Sequence, residues 1–101
     1  MQVKAESIDR KLILHLRGEL DHHAARQLMQ HIARELEYAL PLETELDFSG
    51  VTFMDSSGIA VLLRLWQRMG ELDGTIQVTG LPEQPARVLR AAGLQRLIPL
   101  T

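Results

Sequence analysis

The sequence contains no cysteine, only four aromatic residues and no long apolar segment. Without cysteine the chain forms no disulfide, holds no thiolate-bound metal and has no cysteine nucleophile, which is typical of proteins in a reducing compartment. No stretch approaches the roughly 20 apolar residues that a membrane span requires, and the first residues lack an apolar core of signal-peptide length. We therefore expect a cytoplasmic protein that does not enter a membrane.

The charge pattern argues against a nucleic-acid partner. Lys and Arg number 11 against 13 Asp and Glu, which gives a net charge of −2, and the basic residues are scattered. Proteins that bind DNA or RNA concentrate basic residues on one surface. With 46% apolar and 24% charged residues the composition is that of a folded domain with an aliphatic core. Residues 1–101 are enough for one such domain.

The beginning of the chain predicts a β-hairpin. Residues 11–17 alternate between apolar and polar side chains, which is the period of a strand with one buried face. Residues 2–8 are expected to pair with this segment as an edge strand. The link between them, Asp9-Arg10, has the length of a two-residue hairpin turn but lacks the usual glycine.

A helix and a strand are predicted next. From Ala25 to Leu40 apolar residues recur three and four positions apart, as on one face of a helix. Asp21 is the expected N-cap of this helix, and Pro41 stops it. Residues 43–49 then alternate as a strand.

The remainder of the chain predicts further alternation of helix and strand. Residues 57–69 are apolar nearly all round, so this helix is expected to be almost enveloped. A strand at 75–79 and a third helix from Pro82 to about Gly93 follow, and residues 97–100 are expected to form a last short strand. The predicted order is β-β-α-β-α-β-α-β, an α/β fold with a mixed, mostly parallel sheet.

The most informative segment is an apolar run that breaks into Asp55-Ser56-Ser57-Gly58 before a helix. In sheets of this kind the functional residues follow the carboxyl ends of the parallel strands, where Asp21 and this segment lie. The first backbone N–H groups of a helix lack intrahelical partners, and the helix dipole is positive there, so a serine can cap the helix or carry a phosphate. Ser56 is therefore the candidate regulatory switch.

The local sequence leaves simpler interpretations open. Most serines at helix starts are caps, and Asp21 is as readily a cap as a contact to a partner. Asp55 is expected to shape the turn or to meet a partner. Trp66 and Met69, at helical spacing, are typical of a core rather than of a ligand site.

Catalysis and metal binding have little support. His22 and His23 are adjacent and therefore cannot share a helix face as metal-binding pairs do, so surface positions are expected. The Gly-x-Ser-x-Gly motif of serine hydrolases is absent, and the sequence places no acid–histidine pair for a triad. No phosphate-binding loop is present. We expect no catalytic residue, no metal and no cofactor.

Three motifs occur in the order found in one protein family. They are Gly18-Glu19-Leu20-Asp21-His22-His23, Leu46-Asp47-Phe48-Ser49-Gly50 and Thr52-Phe53-Met54-Asp55-Ser56-Ser57-Gly58-Ile59. With these motifs nearly the whole chain resembles the anti-sigma factor antagonists, bacterial regulators built on the STAS domain. The resemblance implies a single STAS domain at 1–101 that is not an enzyme.

The resemblance also implies a mechanism. Members of the family bind an anti-sigma factor that is also a serine kinase, which releases a sigma factor, until the kinase phosphorylates the serine after the motif aspartate. A serine phosphatase restores them. By position, Ser56 resembles the phosphorylated serine, Asp55 its flanking acid and Asp21 the acid of the neighbouring loop, while Ser57 and Gly58 complete the turn. ATP and magnesium belong to the kinase.

Two other functional classes are weighed against this one. The runner-up is a STAS accessory subunit of another complex, such as a lipid transporter, that binds its partner without a phospho-switch. A small hydrolase is the third class, and no feature of the sequence recommends it. The sigma factor concerned, and a role in sporulation or in the stress response, stay open at this level.

Overall fold

The computed structural model describes residues 1–101 and contains one four-stranded sheet in the order β1-β2-β3-β4. The elements are β1 (Gln2–Ile8), β2 (Lys11–Leu20), α1 (His22–Ala39), β3 (Glu43–Met54), α2 (Ser57–Glu71), β4 (Thr75–Thr79), α3 (Glu83–Ala91) and a short 3-10 helix (Leu94–Arg96). β1 is antiparallel to β2, whereas β2, β3 and β4 are parallel. The predicted α/β fold with a mixed sheet is therefore confirmed.

The N-terminal hairpin closes as predicted. Asp9 and Arg10 have φ angles of 49° and 63°, so both turn residues lie in the left-handed region that the right-handed twist of a two-residue hairpin requires. Aspartate tolerates this region better than most residues, whereas arginine is strained there. β1 pairs with β2 along its whole length and has no strand on its other side, which confirms the predicted edge strand.

One face of the sheet carries the core, and the other is open and polar. Side chains from β2, β3 and β4 alternate between the two faces, and the helices cover the inner one. The largest fully buried side chains are Phe48, Leu12, Leu14, Leu16, Leu20, Leu28, Ile32, Leu36, Leu46, Met54, Leu62 and Leu65. None of the helices combines the length and the hydropathy that crossing a membrane would demand.

β3 runs to Met54 and is longer than the predicted 43–49. It continues through Gly50 because two irregularities in its pairing with β2 each place an extra residue on β3. A Cβ atom on Gly50 would lie 2.7 Å from the carbonyl oxygen of Leu16, so only glycine lets the two backbones come this close. The result is that β3 ends level with β2, directly before Asp55.

The predicted last strand at 97–100 is wrong. After Gly93, which has a φ of 79°, the chain forms the 3-10 helix, and the Ile98 N–H bonds back to the carbonyl of Leu94. Only Leu100 forms an isolated parallel bridge, to Val78 of β4. Pro99 lacks the N–H that a continuous ladder needs, which explains why the pairing is limited to one residue.

The prediction that α2 is almost enveloped is also wrong. This helix packs one face on the sheet and on α1, and Met69 is buried there as expected. Trp66 lies on the outer side with 37% of its surface exposed, so it is not a core residue. Arg64 and Arg68 are exposed, and Arg68 lies 3.3 Å from Glu71.

Candidate functional site

The candidate site forms where β2 and β3 end side by side. Leu20 and Met54 are register partners at the last position of the two strands. The N–H of Asp55 donates to the carbonyl of Leu20 at 3.3 Å, so the pairing continues into the loop after β3. The loop that begins α1 at Asp21 and the loop that begins α2 at Asp55 are therefore neighbours, as the parallel arrangement predicts.

Asp21 caps α1. Its backbone is extended (φ −91°, ψ −174°), and its Oδ1 accepts a hydrogen bond from the N–H of Ala24 at 2.9 Å. The predicted N-cap is confirmed, and the side chain is half-buried. Because only Oδ1 is engaged, Oδ2 keeps its capacity to accept a hydrogen bond from outside the chain. Capping and partner contact are therefore compatible in this residue.

The start of α2 is held by Asp55 and not by Ser56. Asp55 Oδ1 accepts from the N–H of Ser57 at 2.8 Å, which shapes the turn as predicted. Ser56 occupies the N-cap position with helical dihedral angles (φ −63°, ψ −16°), and its side chain makes no capping hydrogen bond. The interpretation of Ser56 as a capping residue is therefore wrong. Its exposed hydroxyl is free to meet another molecule.

The backbone N–H groups that follow Ser56 already have hydrogen-bond partners. The N–H of Gly58 donates to the carbonyl of Asp55, and the N–H of Ile59 donates to that of Ser56, both at 3.1 Å. Of the ion pairs in the chain, none includes Asp21 or Asp55. An anion attached to Ser56 would thus lie beside the Asp55 carboxylate, where few backbone N–H groups remain free to donate a hydrogen bond to it.

Gly58 sets how closely α2 approaches the strand ends. A Cβ atom at this position would lie 2.4 Å from Sδ and 2.6 Å from Cγ of Met54, and 3.3 Å from Leu20. Both neighbours are fully buried, so they have little room to move. Glycine therefore lets the first turn of α2 sit directly on β2 and β3, and this fixes the position of Ser56.

Gln84 of α3 fastens the end of β3, a role that the sequence analysis missed. Its Oε1 accepts from the N–H of Met54 at 2.9 Å, and its Nε2 donates to the carbonyl of Met54 at 2.8 Å. The side-chain amide thus replaces a neighbouring strand at the last residue before Asp55. No spacing rule links positions 54 and 84, so only the folded chain reveals this contact.

Phe53 adds an apolar element beside the loop. The residue pairs with Glu19 of β2, and 42% of its surface is exposed. Its position in the motif next to Asp55 was a usable signal, but the strand pattern alone did not tell which side of β3 it occupies. An exposed aromatic ring two residues before Asp55 is the kind of anchor that protein interfaces use.

An acid–histidine pair exists that the sequence did not place. His15 Nδ1 donates to Asp47 Oδ2 at 2.7 Å, and Glu6 Oε1 lies 3.3 Å from His15 Nε2, outside hydrogen-bond geometry. The pair lies on the open face of the sheet. His15 precedes the end of β2 by five residues, or about 16 Å along a strand. It is therefore too far from Ser56 to form a catalytic triad with it.

This pair makes stability depend on pH. The hydrogen bond to Asp47, together with the charges of Glu6 and Asp47, raises the pKa of His15 above 6.5 despite an opposing effect of burial. The N–H of Ser49 and the His15 ring lower the pKa of Asp47 below 3.8. The stabilisation from His15 is complete below pH 6.5 and is lost as the pH rises through its folded pKa. The stabilisation from Asp47 is present above pH 3.8 and is lost as the pH falls through the folded pKa of Asp47.

We therefore expect the urea midpoint of the protein to decline as the pH rises from about 6.5 to 8.5. In His15→Gln the decline over this range should be smaller, because the titrating group is gone. Equilibrium unfolding at four pH values measures both slopes. Equal slopes in the two proteins would assign the pH dependence to other groups.

Comparison with known proteins adds a family match. The model of the STAS domain family matches residues 2–101. None of the curated proteins compared with this chain matches its sequence. The match covers both loops of the candidate site.

Solved structures with the same fold include anti-sigma factor antagonists. One from Mycobacterium paratuberculosis is 25% identical, with a TM-score of 0.87, and the alignment covers 98% of this chain and 83% of the other. SpoIIAA is 24% identical in two structures. Its unphosphorylated form has a TM-score of 0.75 over 99% of this chain and 87% of the other. Its phosphorylated form from Bacillus has a TM-score of 0.76, and the alignment covers 99% of this chain and 91% of the other.

Proposed function

The chain belongs to the STAS domain family, and from that premise we propose that it is an anti-sigma factor antagonist that phosphorylation of Ser56 switches off. In its active form it binds an anti-sigma factor serine kinase, which releases a sigma factor. A serine phosphatase returns phosphorylated Ser56 to the active form. The observation that carries the proposal is the exposed hydroxyl of Ser56, which stands at a helix start without capping it.

The proposed binding surface consists of Asp21, Phe53, Asp55 and Ser56, and is called the switch face below. Asp21 and Asp55 each use only Oδ1 within the chain, so each can accept a hydrogen bond from a basic residue of the kinase. Phe53 offers apolar area between polar neighbours. Ser57 and Gly58 belong to the same site because they hold the turn that presents Ser56.

Phosphorylation would act on this surface through charge. A phosphate adds about −1.5 to −2 charges. The helix dipole stabilises an anion at an exposed N-terminus by only about 0.3–1 kcal/mol. A carboxylate of the kinase about 6 Å away would feel each added charge by roughly 3 kcal/mol at an effective dielectric near 20. Since about 1.4 kcal/mol is a tenfold change in affinity, repulsion alone can dissociate the complex without a change of fold.

In this proposal the chain is the substrate of the phosphoryl transfer and not its catalyst. The Ser56 hydroxyl forms no hydrogen bond with Asp55, and His15 lies far from it, so no side chain of this chain is hydrogen-bonded to the hydroxyl as a base would be. The ATP site, the metal and the base are supplied by the kinase. Because the hydroxyl is exposed and unbonded, a kinase can reach it without unfolding α2.

The proposal is tested by capturing the partner. Wild type, Ser56→Ala, Ser56→Asp and the uncharged control Ser56→Asn are used as baits in a lysate of the source organism, and retained proteins are identified by mass spectrometry. We expect an ATP-binding anti-sigma factor to be retained by all but Ser56→Asp. A transporter subunit held equally by all four would instead establish an accessory STAS subunit.

Replacing Asp21 by Asn separates its two roles. The Asn side-chain oxygen can still accept from Ala24, so the unfolding free energy should change by less than about 0.5 kcal/mol. Loss of one charged contact at the rim of the interface should weaken kinase binding about three- to tenfold. Calorimetric titration of the captured kinase measures this effect, and an unchanged affinity would confine Asp21 to capping.

A further inference from the structure

The outer edge of β1 carries backbone groups without a partner strand. The two-residue turn makes Ile8 and Lys11 the hydrogen-bonded pair that closes the hairpin. Hydrogen bonding alternates along an antiparallel strand, so even-numbered residues of β1 bond to β2 and odd-numbered ones point their N–H and C=O outward. Val3, Ala5 and Ser7 therefore form an unused ladder of donors and acceptors.

The side chains of β1 divide by the same alternation. Val3 and Ala5 are half-buried and pack against the core, so the strand is held in place on its inner side. Lys4 and Glu6 are exposed on the open face of the sheet. Lys4 forms no ion pair within the chain, although Glu6 lies two residues away on the same face. The edge thus presents one positive and one negative charge around Ala5.

We propose that two copies of this chain pair through antiparallel β1 strands, about a two-fold axis at Ala5. The four strands of each copy would then join in one continuous sheet. In this register Ala5 lies opposite Ala5 and Val3 opposite Ser7, so every outward group finds a partner, with about six new backbone hydrogen bonds. Such an interface is isologous, because both copies contribute the same surface.

The charges select this register over its neighbours. With the axis at Ala5, Lys4 of each copy lies directly opposite Glu6 of the other, at the close spacing of a non-hydrogen-bonded pair. An axis at Lys4 would place the two Lys4 side chains opposite each other, and an axis at Glu6 would do the same for Glu6. Both shifts also shorten the overlap of the strands. Hydrogen bonding, overlap and charge therefore favour the same arrangement.

The dimer leaves the switch face available. Because the two β1 strands run in opposite directions, so do the two β2 strands, and the loops after Leu20 and Met54 lie at opposite ends of the joined sheet. Strand pairing alone buries less area than the roughly 1,200 Å² of a standard stable interface. We therefore expect a weak, reversible dimer.

Sedimentation velocity on the full chain with a C-terminal tag tests the pairing. Wild type should shift from monomer to dimer between about 10 μM and 1 mM. Lys4→Glu, which places like charges opposite each other twice per dimer, should weaken association at least about tenfold. Glu6→Lys should do the same, and the double variant with both substitutions should restore association, because the charges are exchanged. Circular dichroism establishes that each variant is folded.

Amide hydrogen exchange locates the interface. The N–H groups of Val3, Ala5 and Ser7 should become protected as the concentration rises, while those of Lys4 and Glu6, already bonded to β2, should change little. A wild-type protein that is monomeric at about 1 mM would overturn the proposal. So would a dimer that Lys4→Glu leaves intact, or one whose protection arises elsewhere, such as beside the exposed Trp66.

Discussion

Ser56→Asp should bind the anti-sigma factor kinase about tenfold to a hundredfold more weakly than wild type, while Ser56→Ala should bind as tightly as wild type or more persistently. The Asp side chain adds one negative charge, whereas a phosphate adds nearly two, so the variant reproduces only part of the switch. One charge about 6 Å from a partner carboxylate costs roughly 3 kcal/mol before salt screening reduces it. The effect should therefore shrink as the salt concentration rises.

Ser56→Asn is the matched control for this experiment, because it has the size of Asp without the charge. It should bind within about threefold of wild type, since Ser56 makes no capping hydrogen bond that the substitution would break. Equal affinities of the Asn and Asp variants would mean that side-chain size, and not charge, controls the complex. Affinities of all variants are measured by calorimetry at two salt concentrations.

Gly58→Ala should destabilise the protein by about 1–3 kcal/mol. The new methyl group would enter the space of the Met54 thioether, which is fully buried beneath the start of α2. Helix propensity alone would favour alanine over glycine by about 1 kcal/mol. The variant is therefore expected to be less stable than wild type only because of this clash. Because the strain lies directly behind Ser56, the variant should also be phosphorylated more slowly than wild type.

Gly70→Ala supplies the control within the same helix. A Cβ atom at Gly70 would meet nothing within 4 Å, so only the higher helix propensity of alanine should affect stability. The free energy of unfolding should therefore increase by up to about 1 kcal/mol. Urea unfolding of the two variants compares the same chemical change at a closed and an open position. If the Gly58→Ala and Gly70→Ala proteins are equally stable, the first turn of α2 has room to move. Gly58 would then not fix the position of Ser56.

The order of elements was predictable because each follows from a local pattern. The alternation of Leu12, Leu14 and Leu16 and the helical spacing up to Pro41 act over a few residues, and the structure confirms both. The length of β3 was not predictable in this way, because it is set by a distant contact. β3 extends past Gly50 because its neighbour β2 approaches closely there, and no pattern within β3 contains that information.

The candidate site was predictable in part. The adjacency of Asp21 and Asp55 followed from parallel strands that end together, and the structure bears it out. The sequence did not predict that Asp55, and not Ser56, accepts the hydrogen bond at the start of α2, because both residue types are common at that position. Gln84 acts across a separation of 30 residues, and its contacts with Met54 depend on the docking of α3. The roles of these residues in binding and phosphorylation stay predictions.

The most direct test of the account is to incubate the protein with its captured kinase and ATP and to locate the phosphate by mass spectrometry. We expect a single phosphate on Ser56, none in the Ser56→Ala variant, and a purified phosphoprotein that no longer binds the kinase while its circular dichroism spectrum is unchanged. A phosphate on Ser57 or on another serine, or a phosphoprotein that still binds as tightly, would contradict the account.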